Sequence, residues 1–226
     1  MAGTIHLNPS APIAERVLLP GDPQRALHVA QALLAEPRML NARRGLWGYT
    51  GTAPDGGVVT IQSTGMGGPS AAIVVEELID HGARTLIRIG TCGALVPELA
   101  LGELLAVEAA IGADGASQGL GSGGPDADLT AALLHAGARG ATVVTTDLFY
   151  DPREELPDRW RAAGAQAIEM ETAAIFAVAR RRGVSAASLL AVTDQLANGR
   201  VRMEQETIEE VGLELGRTAL RALEAV

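Results

Sequence analysis

Four short apolar runs, each ending in a glycine-bearing or polar turn, constrain this chain more than any other feature. Residues 16–20 lead into Gly21-Asp22-Pro23 and residues 58–63 into Gly65-Met66-Gly67-Gly68. Leu86-Ile87-Arg88-Ile89 leads into Gly90-Thr91-Cys92-Gly93, and residues 188–192 into Thr193-Asp194. Runs of this length bounded by turn formers read as strands buried on both faces. Residues 104–107 and 141–145 add two more.

Between the runs the apolar period changes to that of a helix. Residues 24–34 read as one, and Pro69 opens a second in which Val74, Val75, Leu78 and Ile79 share one arc while Glu76, Glu77 and Asp80 share the other. A third runs over about 170–182. The last begins near Met203, with Ile208, Val211, Leu215, Ala219 and Ala222 on one stripe and Glu210, Glu214, Arg217 and Arg221 opposite. Strands alternating with helices predict an α/β fold with a central, mostly parallel mixed sheet flanked by helices on both faces. The 226 residues, 47% hydrophobic, suit a single domain over 1–226. Because only 3% are aromatic, Ala, Val, Leu and Ile must fill the core. Residues 112–125, rich in Gly and Ser, are expected to form a mobile surface loop.

Composition also narrows the function. A net charge of -9 argues against nucleic acid and anionic membrane as partners, since both require a basic surface. The lone Cys92 has no partner for an internal disulfide, and the four histidines show no zinc-site spacing. With no targeting segment and no apolar run near the ~18 residues of a membrane span, a cytoplasmic location is expected.

Parallel sheets bind ligands outside the carboxyl ends of their strands, where the unusual residues of this chain fall. Glycines there let backbone amides approach an anion, Arg25 and Arg88 can add charge-assisted hydrogen bonds, and Thr91 a hydroxyl. Together they predict a phosphate site without a metal. Arg88 is the most telling of these, because a guanidinium inside an apolar strand requires an anionic partner. Individually the signals are weak. Gly65-Met66-Gly67-Gly68 lacks G-x-G-x-x-G spacing, Asp194 could cap the next segment, and Glu169 with Glu171 would be favourable at any helix start.

Six segments in register resemble the trimeric/hexameric nucleoside phosphorylase family, which includes bacterial purine nucleoside, uridine and methylthioadenosine phosphorylases. They are Leu19-Pro20-Gly21-Asp22-Pro23-Gln24-Arg25-Ala26, Ser63-Thr64-Gly65-Met66-Gly67-Gly68-Pro69-Ser70, Arg88-Ile89-Gly90-Thr91-Cys92-Gly93-Ala94, Thr146-Asp147-Leu148-Phe149-Tyr150, Ile168-Glu169-Met170-Glu171-Thr172-Ala173 and Val192-Thr193-Asp194. The resemblance implies phosphate binding by Gly21, Arg25, Arg88 and Thr91, with Arg44 supplied by a neighbouring subunit. It implies ribose binding by Met66, Glu171 and Glu169, with His6 from the same neighbour. The base would lie against Cys92, Gly93, Phe149, Ile168 and Met170.

The implied assembly is a hexamer arranged as a trimer of dimers, and the implied reaction is phosphorolysis of a purine nucleoside. Asp194 would act as general acid at purine N7. Inorganic phosphate is then a co-substrate, and no cofactor is expected. Purine members often carry an arginine after the catalytic Asp. Gln195-Leu196-Ala197-Asn198-Gly199-Arg200-Val201-Arg202 does not reproduce that pattern, so Arg200 or Arg202 is the substitute at hand and the choice between 6-amino and 6-oxo purines stays open. Uridine phosphorylase is the alternative, followed by a hydrolytic nucleosidase or a non-catalytic nucleoside-binding protein.

Overall fold

A computed structural model describes residues 4–197 and 199–226. In chain order the strands are β1 (Arg16–Pro20), β2 (Ala35–Asn41), β3 (Gly48–Thr52), β4 (Val58–Gln62), β5 (Thr85–Ala94), β6 (Leu104–Ala113), β7 (Arg139–Thr146), β8 (Ala167–Glu169), β9 (Ser185–Gln195) and β10 (Val201–Arg202). The helices are α1 (Pro23–Leu33), α2 (Gly68–Asp80), α3 (Gly115–Leu120), α4 (Ala127–His135), α5 (Leu156–Ala162), α6 (Thr172–Arg182) and α7 (Gln205–Glu224).

The strands form one mixed sheet in the order β10-β9-β6-β7-β8-β5-β1-β4-β3-β2, and β9 also pairs with β5. That extra pairing closes β5, β9, β6, β7 and β8 into a ring. β1 lies parallel to both β4 and β5, and β5 parallel to β9. Side chains alternate across a strand, so Val17 and Leu19 join one core with Val74, Leu78 and Ile175 of α2 and α6. Leu18 points the other way, into a second core with Val29 of α1 and Leu215 of α7. Both faces of the sheet are therefore covered, as the uninterrupted apolar runs require.

Several expectations are corrected. Residues 112–125 are not simply a loop. Gly112 and Ala113 finish β6, and Asp114 then caps α3, its carboxylate accepting from the Ser117 amide at 2.7 Å. A short helix built of Gly, Ala, Ser and Gln carries little apolar period, so only its cap marks it. Gly90-Thr91-Cys92-Gly93 and Thr193-Asp194 are not turns after strands but lie within the C-terminal parts of β5 and β9, which keep pairing across a bulge between Cys92 and Gly93. The β2–β3 edge has no apolar run to announce it, because Glu36, Pro37 and Arg38 are exposed on it and Pro37 is tolerable only at an edge.

Candidate active site

A cavity of about 530 Å³ opens where β1, β5, β7, β8 and β9 end. Its size is that of a site for a small organic ligand. The structure brings to it Gly21, Arg25, Met66, Arg88, Thr91, Cys92, Gly93, Phe149, Ile168, Glu169, Met170, Glu171 and Asp194. Of the residues singled out in the sequence, His6 and Arg44 do not reach the cavity of their own chain.

At one end lie the two arginines. Arg88, on β5, is buried, and its Nη2 lies 3.0 Å from Glu169 Oε2 and 2.5 Å from Glu171 Oε2. Burial alone would lower the guanidinium's pKa, but the charges of Glu171 and Glu169 more than offset that and raise it. Gly90 makes the arrangement possible, since a Cβ there would stand 2.7 Å from the Arg88 Cζ. Arg25, on the first turn of α1, is the opposite case. Burial lowers its pKa, Asp22 opposes this only in part, and Arg88 adds like-charge repulsion. An under-compensated, desolvated cation beside a second arginine is a site that gains from an anion. Loop closure brings backbone to the same place: a Cβ on Gly21 would meet the Gly65 carbonyl at 3.2 Å, and Gly65 has a φ of +73°, open to glycine at little cost.

The two glutamates have different environments. Glu169, at the end of β8, receives the Arg88 Nε at 3.0 Å and the Thr145 hydroxyl. It also receives the amides of Glu171 at 2.9 Å and Thr172 at 2.9 Å, buried donors at the start of α6 that have no partner within the helix. Its oxygens are saturated by the protein, so it positions Arg88 and the helix start. Glu171 receives the Gly67 amide at 2.6 Å and Arg88. Burial raises its pKa, with Arg88 pulling against that shift. Glu171 thus has spare acceptor capacity facing the cavity.

At the far end stands Asp194. Its Oδ1 accepts from the Nε and Nη2 of Arg200 at 3.1 and 3.0 Å, and its Oδ2 from the Thr193 hydroxyl at 3.1 Å. Of the two arginines offered by the sequence, Arg200 lines the cavity. Arg202 pairs in register with Asp194 across the β9–β10 hairpin and is exposed. The walls here are apolar, with Cys92, Phe149, Ile168 and Leu196. Burial pushes the Cys92 thiol far up, which leaves it a neutral packing group. Met66, Leu148 and Phe149 are exposed around the mouth, a cluster of apolar side chains expected where a ligand or another chain covers them.

His6 sits elsewhere, its Nδ1 2.7 Å from Glu77 Oε1 on the outer face of α2. Hydrogen bonds from the backbone amides of Leu7 and His6 and from the His6 ring outweigh burial and hold the Glu77 carboxyl below its ordinary range, so this anchor is a firm one. Arg44 lies in a 3₁₀ turn, Arg43–Gly45, with a left-handed φ of 58°. The roles of Thr145 and Gly90, and the grip of Arg200 on Asp194, are not evident from sequence. An arginine in an apolar strand followed two residues later by glycine is the signal available for Gly90.

Among the described residues no three His, Cys, Asp or Glu side chains cluster to share a metal ion, and no helix is long and apolar enough to cross a membrane.

The cavity thus joins two arginines and glycine backbone, a buried carboxylate, and an apolar slot lined by an acid. The chain belongs to the phosphorylase superfamily, whose sequence profile matches residues 15–226. It is 40% identical over 200 residues to the DeoD-type purine nucleoside phosphorylase of Alkaliphilus metalliredigens, covering 83% of this chain and 85% of that one. The protein of the same name from Caldanaerobacter subterraneus is 37% identical over 207 residues, covering 86% and 88%. Among solved structures, uridine phosphorylase from Vibrio fischeri superposes with a TM-score of 0.84 at 29% identity, covering 93% of this chain and 92% of that one.

Proposed function

We propose that this enzyme splits purine nucleosides with inorganic phosphate, releasing the base and a pentose 1-phosphate. The observation that carries the reading is that Arg25, Arg88, Glu171 and Asp194 line one cavity, with Glu171 on Arg88 and Asp194 in register with Gly93, further along β5 than Arg88. In the reaction the C1′–N9 bond breaks with its electron pair going to the purine. Asp194 gives a proton to N7, and a phosphate oxygen bonds to C1′. Glu171 accepts from the ribose hydroxyls, and the phosphate held by Arg25, Arg88, Thr91 and the Gly21 backbone faces the positive charge that develops on the sugar. Met66 covers the ribose, while Phe149, Ile168, Met170, Cys92 and Gly93 enclose the base. Phosphate is the co-substrate and no cofactor takes part. An acid at Asp194 suits N7, an atom that uracil lacks, so purines are favoured over uridine. The DeoD-type relatives are named for the same substrate class.

The test is a panel of inosine, guanosine, adenosine and uridine, each with and without phosphate, followed by base release. Purine release only with phosphate is the expected result. Cleavage without phosphate would mean a nucleosidase, and uridine alone would reverse the choice of base.

His6 and Arg44 complete the site of a neighbouring subunit in a hexamer built as a trimer of dimers. If so, Arg44→Ala and Asp194→Asn damage different halves of one shared site. Refolding the two inactive variants together then restores activity, because some interfaces combine both intact halves. Two variants that stay inactive when mixed would contradict the sharing.

A further inference from the structure

Asn41, the last residue of β2, ties together two stretches of chain that lie outside the sheet. It is buried, at 3% exposure. Its Nδ2 donates to the Leu46 carbonyl at 2.5 Å, and its Oδ1 accepts from the Asn8 amide at 3.1 Å. A carboxamide supplies both a donor and an acceptor, whereas an ionised carboxylate or an aliphatic chain of similar size supplies one or neither. Leu46 closes the turn that carries Arg44, its amide donating to the Arg43 carbonyl at 3.1 Å. Arg44 is exposed, and its left-handed φ of 58° is a conformation that persists in a non-glycine residue where the surroundings impose it. Here they do, because Gln62 at the end of β4 gives the same Leu46 carbonyl a second donor at 3.0 Å. Asn8 ends the segment that carries His6. Glu77 holds that segment from one side, receiving the amides of Ile5, His6 and Leu7 at 3.2, 3.1 and 2.6 Å. Asn41 takes the next amide along the chain.

We propose that Asn41 is a positioning residue that locks the His6 segment to the Arg44 turn, so that both side chains enter the neighbouring subunit's site as one preassembled arm. The inference rests on the shared-site reading above. Asn41 does not line the cavity of its own chain, and its hydrogen bonds go to backbone, so it acts through the two residues it joins. Groups that are ordered before the ligand arrives do not have to be ordered by it, which is where a preformed site gains affinity. The joint also matters for geometry. Phosphate must meet the sugar at C1′, and an arm with an arginine for the one and a histidine for the other fixes how the two approach.

The experiment measures KM for phosphate and for inosine in Asn41→Leu, alone and after refolding together with Asp194→Asn. Alone, Asn41→Leu should raise both KM values by about tenfold, the scale of a lost hydrogen bond to a charged group, with kcat much less affected. In the mixture a class of sites with wild-type KM values should return. There an Asn41→Leu subunit keeps its own Asp194 and receives an intact arm from an Asp194→Asn neighbour. A residue that only stabilised its own subunit would not be rescued in this way. Asn41→Asp, of the same shape, gives a second reading. Ionised, it still accepts from Asn8 and has no hydrogen for Leu46, so it should raise the phosphate KM and spare the inosine KM. Wild-type KM values in Asn41→Leu, or raised values that the mixture does not lower, would overturn the proposal. If thermal unfolding shows that Asn41→Leu does not fold, Asn41→Asp decides, and an unchanged phosphate KM there overturns it. Failure of the shared-site reading looks different, since Arg44→Ala is then not rescued by Asp194→Asn either, and the proposal falls with it.

Discussion

Asp194→Asn is expected to lower kcat by about 100- to 10,000-fold, the usual contribution of a general acid. The asparagine keeps the shape of the carboxyl group and has no acidic proton to give to N7. Folding should change little, because the substitution weakens an ion pair with Arg200, whose side chain is 45% exposed, and such pairs contribute at most ~1 kcal/mol. The check is steady-state kinetics with inosine and phosphate beside thermal unfolding of the same preparation. Activity close to wild type would remove Asp194 from the mechanism, whereas an inactive protein that also unfolds early would leave the acid role to be settled by Asp194→Glu, which restores an acidic group.

The second large effect is on Arg88. Arg88→Met removes the cation between Glu169 and Glu171 and leaves two buried carboxylates facing each other. Removing one partner of a buried ion pair destabilises by about 3–5 kcal/mol, which lowers Tm by roughly 10 °C for a chain of this size. The loss depends on pH, and its sign follows from Glu171. Burial already raises that group above its unfolded value. Without Arg88 the folded state binds protons that the unfolded chain releases, so its stability is greatest below the unfolded glutamate range and falls as pH rises through the raised folded value. The deficit against wild type should therefore be smaller near pH 5 than near pH 8. Adding Glu171→Gln to Arg88→Met should recover part of the loss at the higher pH by removing one of the stranded charges. A uniform deficit at all pH values would mean that lost packing, not lost charge, governs the variant. With Arg88 in the proposed phosphate site, phosphate should protect the variant against heat less than it protects the wild type.

The parts of this fold visible in the sequence are those with a local physical signature. β1, β4, β5 and β9 are apolar runs because both faces of the sheet are covered, and α2 and α7 keep a clean stripe because each packs one face on a core. Arg88 stands out for the same reason, as a charge where the neighbours are buried. What escapes a reading of the sequence depends on contacts between distant residues. β8 is three residues long and exists because β5 and β7 lie on either side of it. The continuation of β5 through Gly93 exists because β9 and β8 pair with it there, although glycine-rich segments read locally as turns. Arg200 reaches Asp194 through the return of β10 onto β9, a hairpin whose two-residue second strand has no pattern of its own. His6 and Arg44 are marked by family resemblance alone, and nothing in one chain brings them to its cavity.

The central claim is that the pentose leaves on phosphate and not on water. It is tested most directly by following the phosphorus resonance of inorganic phosphate during incubation with inosine. A new phosphomonoester signal that grows in step with free hypoxanthine, at one to one, is the predicted result. Hypoxanthine released while the phosphate resonance stays unchanged would contradict the account and make this protein a hydrolase.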